Sequence, residues 1–157
     1  VHGVQQIEVV LKAFGKHNVA NCVAALAVAC ENGIPLEKAV AHMESYEGPR
    51  QKIIRTEGKF TMIDDTYNAS PDSMKASINV LCDMPCSGKR VAVLGDMLEL
   101  GENSEEYHRD IGRYLLSKPV DEVYVIGELA GYIKDEMKQS EYVKHWKALT
   151  VTVPAWG

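Results

Sequence analysis

Residues 63–73 read Ile63-Asp64-Asp65-Thr66-Tyr67-Asn68-Ala69-Ser70-Pro71-Asp72-Ser73 and join a strand to a helix through an acidic turn. The apolar run that ends at Ile63 predicts the strand. Ser70 is a typical N-cap residue, Pro71 suits the first helical position, and Asp72 favours the positive end of a helix dipole. The order strand, turn and helix is the unit from which α/β folds are built.

The turn displays two acids and an amide, Asp64, Asp65 and Asn68, at the carboxyl end of the strand. Open α/β sheets bind their ligands at this edge, which makes the turn a candidate site. Asx side chains also bond the amides of turns and helix starts, so Asp65 and Asn68 are equally well explained as structural residues. On the residues alone, both explanations stay open.

The rest of the chain alternates apolar strands with amphipathic helices. The predicted strands are residues 4–11, 52–56, 59–63, 90–94 and 122–126. The helices are predicted to start at Asn18, Pro35, Ser70, Asn103 or Ser104, and near Leu129. This alternation predicts a Rossmann-like, doubly wound and mostly parallel α/β sheet with one antiparallel edge strand, preceded by a strand and two helices. The continuous apolar runs of the last two strands predict burial on both faces.

Two helices carry more specific expectations. The helix over residues 18–31 is apolar nearly all round, which predicts burial on more than one side, although only a short strand precedes it. In the helix that follows residue 103, Tyr107, Ile111 and Leu115 mark the buried stripe. His108 is therefore expected to be a surface or capping side chain.

Composition and charge limit the classes of function. The 157 residues are 46% hydrophobic and 25% charged, as in an ordinary soluble globular domain. The net charge of -5 argues against a nucleic-acid-binding protein, whose footprint is a basic face. No apolar run reaches the length of a membrane span. The four cysteines lack paired CxxC spacing and the density of a disulfide scaffold, so we expect reduced core thiols in a cytoplasmic protein. The five histidines show no paired ligand spacing, and no metal site is predicted.

Five motifs occur here in the order in which Mur ligases have them. They are Gly15-Lys16-His17-Asn18-Val19-Ala20-Asn21, Gly33-Ile34-Pro35, Arg50, Asp64-Asp65-Thr66-Tyr67-Asn68-Ala69-Ser70-Pro71 and Leu94-Gly95-Asp96-Met97-Leu98-Glu99-Leu100-Gly101. Over residues 15–137 the chain resembles this family. A fixed order of five motifs is far more specific than any single one.

The resemblance implies an ATP-dependent amide-bond ligase of peptidoglycan synthesis. Such an enzyme uses ATP and Mg²⁺ to convert the carboxylate of a UDP-muramoyl tripeptide into an acyl phosphate, which the amine of D-alanyl-D-alanine attacks. The expected partners are these small molecules and the rest of the protein's own chain. Another Mur-type ligase, adding an amino acid or polyglutamate, is an alternative, and a receiver-like signalling domain is a more distant one.

The resemblance also implies how the chain is divided. We expect residues 1–47 to be the end of a central ATPase domain and residues 48–157 to be the family's carboxyl-terminal domain, with an incomplete last strand. No GxxxxGK[ST] phosphate loop is present, so we expect no ligase activity from this chain alone. The apolar helix over residues 18–31 is expected to pack on the sheet domain or to pair with a second copy.

By analogy with the family, specific residues are expected to bind the nucleotide and the amine substrate. The residues implied for the nucleotide are Asn18 and Asn21 for adenine, Arg50 for the terminal phosphate, Asp65 for the ribose hydroxyls, and Tyr67 and Asn68 for the surrounding crevice. The two asparagines suit this role because positions i and i+3 share one helical face. Asp96 and Glu99 are expected either to hold the ammonium of the incoming dipeptide or to support their loop.

Overall fold

The computed structural model describes residues 6–13, 15–46, 52–58 and 60–138. The described elements are α1 (Lys16–Glu31), α2 (Leu36–Ser45), β1 (Lys52–Thr56), β2 (Phe60–Asp64), α3 (Pro71–Asp83), β3 (Val91–Gly95), a 3-10 helix (Gly101–Asn103), α4 (Ser104–Leu116), β4 (Glu122–Ile126) and α5 (Gly131–Lys138). The predicted start of α3 and the predicted bounds of β1 and β4 are confirmed. The predictions for Arg50, for Val4 and for residues 139–157 lie outside the described residues.

The chain forms two compact units, Val1–Asp64 and Asp65–Gly157. Their border falls inside the acidic turn, directly after β2. The domain boundary that the family resemblance implies between residues 47 and 48 separates two domains of a longer ligase. That boundary stays a prediction.

In the first unit, α1 begins earlier than predicted. Gly15 occupies the N-cap position with φ 93°, and its carbonyl accepts from the backbone N–H of Asn18 at 3.0 Å. Asn18 therefore lies in the first helical turn, and its prediction as the cap is wrong. The predicted end of the helix is confirmed: Asn32 is the C-cap, and Gly33 follows with φ 76° in the left-handed conformation that glycine tolerates.

Helix α1 exposes most of its apolar side chains. Only Cys22 is buried, whereas Val19, Val23 and Val28 are 57%, 61% and 64% exposed. Helix α2 packs against α1 and buries Ala39 and Val40 of its amphipathic stripe, as its pattern predicts. The described elements of this unit thus leave α1 as an apolar helix that is covered on one side.

The same unit contains a β-hairpin formed by the strands that the sequence predicts over residues 52–56 and 59–63. Strands β1 and β2 pair antiparallel, with Ile53 opposite Ile63, and Gly58 takes φ 66° in the turn between them. The strand predicted over residues 4–11 is wrong for residues 6–11, which form no strand. A strand needs a neighbour to bond its backbone, and no described segment pairs with these residues.

The second unit is built on two parallel strands with helices against one face. β3 and β4 pair in parallel, with Ala92 opposite Val123, and α4 provides the connection between them. Helix α4 packs against both α3 and α5. The buried core consists of Met74, Ile78, Ala92, Met97, Ile111, Leu115, Val123, Val125, Ala130, Ile133 and Met137. Ile111 and Leu115 are buried as predicted for the stripe of α4, while Tyr107, predicted for the same stripe, is 40% exposed.

Helices α4 and α5 approach each other most closely at Gly112. A Cβ atom at this position would lie 2.7 Å from the carbonyl oxygen of Ile133 and 2.8 Å from the Cβ of Glu136. Salt bridges from Arg109 and Arg113 to Glu136, at 3.6 and 3.7 Å, lie along the same contact. Gly112 thus allows the backbone of one helix to touch that of the other.

The parallel strands are covered on one face only by the described elements. Ala92 of β3 is buried, but Val91 and Val93 on the opposite face are 40% and 61% exposed. The predicted burial of this strand on both faces is therefore wrong. The α/β class is confirmed, with one parallel and one antiparallel pair of strands. Among the described helices, none combines the length and the apolar character that crossing a bilayer requires.

Candidate functional site

The first candidate region is the turn that leads from β2 into α3. Asp65 is half-buried, and its Oδ2 atom accepts a hydrogen bond from the hydroxyl of Ser77 in α3. Its Oδ1 atom is also buried and has no hydrogen-bond partner within the part of the chain that the structure describes. A buried acceptor without a donor costs free energy, about 1–3 kcal/mol, so the Oδ1 atom of Asp65 is an exception among buried polar atoms.

The other polar residues of this turn have structural partners. The Oδ1 atom of Asn68 accepts from the backbone N–H of Ala69 at 2.8 Å. Ser70 and Ser73 form a reciprocal capping box, with bonds of 3.3 and 2.9 Å between each hydroxyl and the other residue's N–H. Tyr67 is 74% exposed at the surface of the turn. A structural role in the turn thus explains the side-chain oxygen of Asn68, but it does not explain the Oδ1 atom of Asp65.

The second candidate region is the loop over residues 95–101, which follows β3. Asp96 does not project freely, because its Oδ1 atom accepts from the backbone N–H of Ala130 at 2.6 Å. Gly127, at φ 114°, leaves room for this carboxylate, since a Cβ atom there would lie 2.3 Å from the Cγ of Asp96. Asp96 thereby ties the loop to the segment that leads into α5.

The loop has a second anchor at Met97, one residue further on. The Met97 side chain is fully buried in the core, and its backbone N–H donates to the Nε2 atom of His108 at 3.0 Å. His108 is itself fully buried, and its Nδ1 atom bonds the carbonyl of Ser104 at 2.7 Å. The prediction that His108 is a surface or capping residue is therefore wrong.

Beyond these anchors the loop tip faces solvent. Leu98 is 66% exposed, and Glu99 is exposed with φ 61°, a left-handed conformation that is uncommon for residues other than glycine. Such conformations cost about 1–3 kcal/mol and concentrate at functional positions. Gly101, with φ 66°, closes the turn into the 3-10 helix.

The residues implied for adenine lie in the first unit. Asn18 and Asn21 do share one face of α1, and the Nδ2 atom of Asn21 lies 3.5 Å from the Oδ1 atom of Asn18. This expected juxtaposition is present, while the adenine contact itself stays a prediction. No group of three histidine, cysteine, aspartate or glutamate side chains suited to a metal ion occurs within the described ranges.

Sequence reasoning missed three residues of this arrangement: Ser77, His108 and Gly127. For His108 a signal exists, because positions 108, 111 and 115 share a helical face as well as positions 107, 111 and 115 do. For Ser77 and Gly127 no local signal exists. Their partners lie 12 and 31 residues away in the chain, and only the folded structure brings them together.

Comparison with known proteins decides the family. Residues 49–153 match the family model described as "Mur ligase, glutamate ligase domain". The chain belongs to the Mur ligase family. The resemblance deduced from the five motifs is thereby confirmed, and the receiver-like alternative is removed.

Individual relatives of this Mur ligase chain are similar over most of its length. The UDP-N-acetylmuramoyl-tripeptide--D-alanyl-D-alanine ligase of Bacillus subtilis is 39% identical over 123 residues, which are 77% of this chain and 27% of the relative. MurF from Acinetobacter baumannii superposes with a TM-score of 0.79 at 36% identity, covering 90% of this chain and 30% of that one. MurF from Thermotoga maritima, solved in complex with ADP, gives a TM-score of 0.65 at 32% identity, with 76% and 27% covered. The chain spans less than a third of each of these proteins.

Proposed function

We propose that this chain is the carboxyl-terminal part of a cytoplasmic, ATP-dependent ligase that adds D-alanyl-D-alanine to UDP-N-acetylmuramoyl-tripeptide in peptidoglycan synthesis. The Bacillus subtilis ligase of that name, 39% identical over 77% of this chain, supports the substrate assignment. The partners are the UDP-muramoyl tripeptide, the dipeptide, ATP and the remainder of the same protein.

The observation that carries the nucleotide part of this proposal is the Oδ1 atom of Asp65, which has no hydrogen-bond partner among the described residues. Ser77 bonds the other oxygen and so fixes the carboxylate with one acceptor to spare. In this proposal the turn shifts on nucleotide binding and exposes that atom, for which a ribose hydroxyl is a suitable donor because hydrogen bonds to ionised acceptors are the stronger ones. The ADP in the Thermotoga maritima structure supports a nucleotide as the ligand of this family.

The other nucleotide contacts are proposed on the family motifs. Asn18 and Asn21 hold adenine through amides that both donate and accept, and Tyr67 and Asn68 border the nucleotide. Arg50 binds the terminal phosphate, for which a guanidinium is well suited. ATP supplies the phosphoryl group that activates the tripeptide carboxylate, with Mg²⁺ compensating the charge. We assign no Mg²⁺ ligand to this chain.

For the incoming dipeptide we propose a division of roles within the loop over residues 95–101. Glu99, exposed at the tip, pairs with the ammonium group of D-alanyl-D-alanine. Asp96 supports the loop through the N–H of Ala130 and keeps that tip in place. The ammonium must give up one proton before the amine can attack, and the Glu99 carboxylate beside it can accept that proton while it holds the amine at the reacting carbonyl.

The test uses the full-length protein with Asp65→Asn and the matched control Asp72→Asn. Asp72 is an exposed acid in the first turn of α3, close in sequence to Asp65 but outside the proposed contact. Losing a charged acceptor costs about 1.5–3 kcal/mol, so the KM for ATP should rise roughly 10- to 100-fold in Asp65→Asn. Asp72→Asn should leave the KM for ATP within about twofold, because the lost helix-dipole interaction of about 0.3–1 kcal/mol affects the stability of α3 and leaves the proposed nucleotide contact intact. An unchanged KM for ATP in Asp65→Asn contradicts the nucleotide assignment.

A second candidate is a Mur-type ligase that adds glutamate. The description of the matching family model, which names a glutamate ligase domain, favours it. Both candidates share the nucleotide residues and differ in the amine. Supplying the full-length protein with D-alanyl-D-alanine and with L-glutamate in parallel distinguishes them, because only the accepted amine stimulates ADP release.

A further inference from the structure

His108 is a buried histidine whose two ring nitrogens both have backbone partners. Nε2 lies 3.0 Å from the backbone nitrogen of Met97, and Nδ1 lies 2.7 Å from the carbonyl oxygen of Ser104. The side chain has no exposed surface. The proposed contacts with nucleotide and amine make no use of this residue.

The two partners leave the ring only one protonation state. A carbonyl oxygen only accepts, so Nδ1 must carry a hydrogen toward Ser104. A backbone N–H only donates, so Nε2 must be bare toward Met97. His108 is therefore a neutral imidazole with its proton on Nδ1, and it acts as the acceptor that holds the loop.

This hydrogen bond lies at the centre of the loop's attachment. The preceding residue, Asp96, bonds the N–H of Ala130, and the Met97 side chain is fully buried. Directly after these anchors the backbone turns outward to Leu98 and Glu99, both exposed. A movement of the Met97 backbone would therefore shift the backbone at Glu99, from which its carboxylate projects.

We infer that His108 is a positioning residue that fixes the Met97 backbone and thereby places Glu99 for the amine substrate. The inference rests on the proposed function, in which Glu99 binds the ammonium group. His108 acts through the loop and touches no substrate.

The first test observes the ring directly. The full-length protein is labelled with ¹⁵N-histidine, and the His108 signals are assigned by their loss in His108→Gln. The inference predicts one protonated nitrogen and one bare, hydrogen-bonded nitrogen, with the proton on Nδ1. A ring protonated on Nε2, or on both nitrogens, at neutral pH overturns it.

The second test compares His108→Gln with His108→Leu in steady-state kinetics. The Oε1 atom of glutamine can accept from the Met97 N–H, whereas leucine leaves this buried donor unpaired. In His108→Leu the KM for the amine substrate should rise roughly tenfold, as expected when one buried donor loses its acceptor, while the KM for ATP stays unchanged. In His108→Gln the KM for the amine substrate should return most of the way to the wild-type value.

The control is His42→Leu. His42 bonds the carbonyl of Lys38 at 2.9 Å, the same i−4 contact that His108 makes, but it is exposed and lies on α2. This variant should retain the wild-type kinetics.

An equal rise in both KM values, or a failure of glutamine to rescue, means a general structural role and overturns the inference. The KM is measured with whichever amine the wild-type enzyme accepts. Rejection of D-alanyl-D-alanine therefore refutes the proposed function alone, and the role of His108 is still decided.

Discussion

Replacing Gly112 by alanine tests the packing that holds the second unit together. The added methyl group would lie 2.7 Å from the carbonyl oxygen of Ile133, where an ordinary contact begins at 3.4 Å, so α4 and α5 must separate by several tenths of an ångström. Alanine favours a helix over glycine by about 0.5–1 kcal/mol, but overpacking of a core costs about 1–3 kcal/mol. The obstructing atoms are backbone and Cβ, which cannot rotate away. The clash therefore wins, and we expect a net loss of about 1–2 kcal/mol.

The assay is urea unfolding followed by circular dichroism, with Gly131→Ala as the matched control. Gly131 is the first residue of α5, and a methyl group added there would meet no heavy atom within 4 Å. Its replacement should leave the free energy of unfolding unchanged or raise it slightly, because alanine is the better helix former. If Gly112→Ala is as stable as Gly131→Ala, the close approach of the two helices is refuted.

Three further predictions address the loop, the thiols and α1. Gly127→Ala should displace the Asp96 carboxylate, which would lie 2.3 Å from the new methyl group. In the full-length protein the KM for the amine substrate should therefore rise more than the KM for ATP, and an equal rise in both contradicts the role of Asp96 in the loop. Burial raises the pKa of the Cys82 thiol, so less of it is thiolate at pH 8, and iodoacetamide should modify Cys82 more slowly than the exposed Cys86. The difference between the two modification rates, measured by mass spectrometry of the peptides, should narrow as the pH rises. The exposed apolar side chains of α1 should cause this chain to self-associate, and Val23→Lys should lower its sedimentation coefficient at high concentration; identical sedimentation of both forms argues against pairing through α1.

The sequence predicted the elements whose signals are local. The start of α3 follows from Ser70 and Pro71, which lie within one turn of each other, and the capping box observed there needs no distant partner. The β-hairpin follows in the same way from two short apolar runs around Gly58. The Asp65 turn was located because it joins these two elements.

The errors arose where distant contacts decide. Tyr107 and His108 are adjacent on α4, and helical periodicity allows either to face the core. The choice is made by the backbone N–H of Met97, 11 residues earlier, which requires an acceptor at position 108. Tyrosine is the more apolar side chain of the two, and helical periodicity alone did not indicate that Tyr107 would be exposed.

Backbone conformation explains the error at the start of α1. Asn18 is a good N-cap by residue type, but Gly15 adopts φ 93° and lets the helix begin at Lys16. The strand expected near the amino terminus failed for a related reason, since β pairing depends on a partner that local sequence does not reveal.

The most direct measurement supplies the full-length protein with ATP, UDP-N-acetylmuramoyl-tripeptide and D-alanyl-D-alanine, and follows the products by mass spectrometry. We predict a UDP-muramoyl pentapeptide and one ADP for each peptide bond formed, and no phosphate release from the chain of residues 1–157 alone. ADP formed without the pentapeptide, or only with a different amine, would contradict the proposed function.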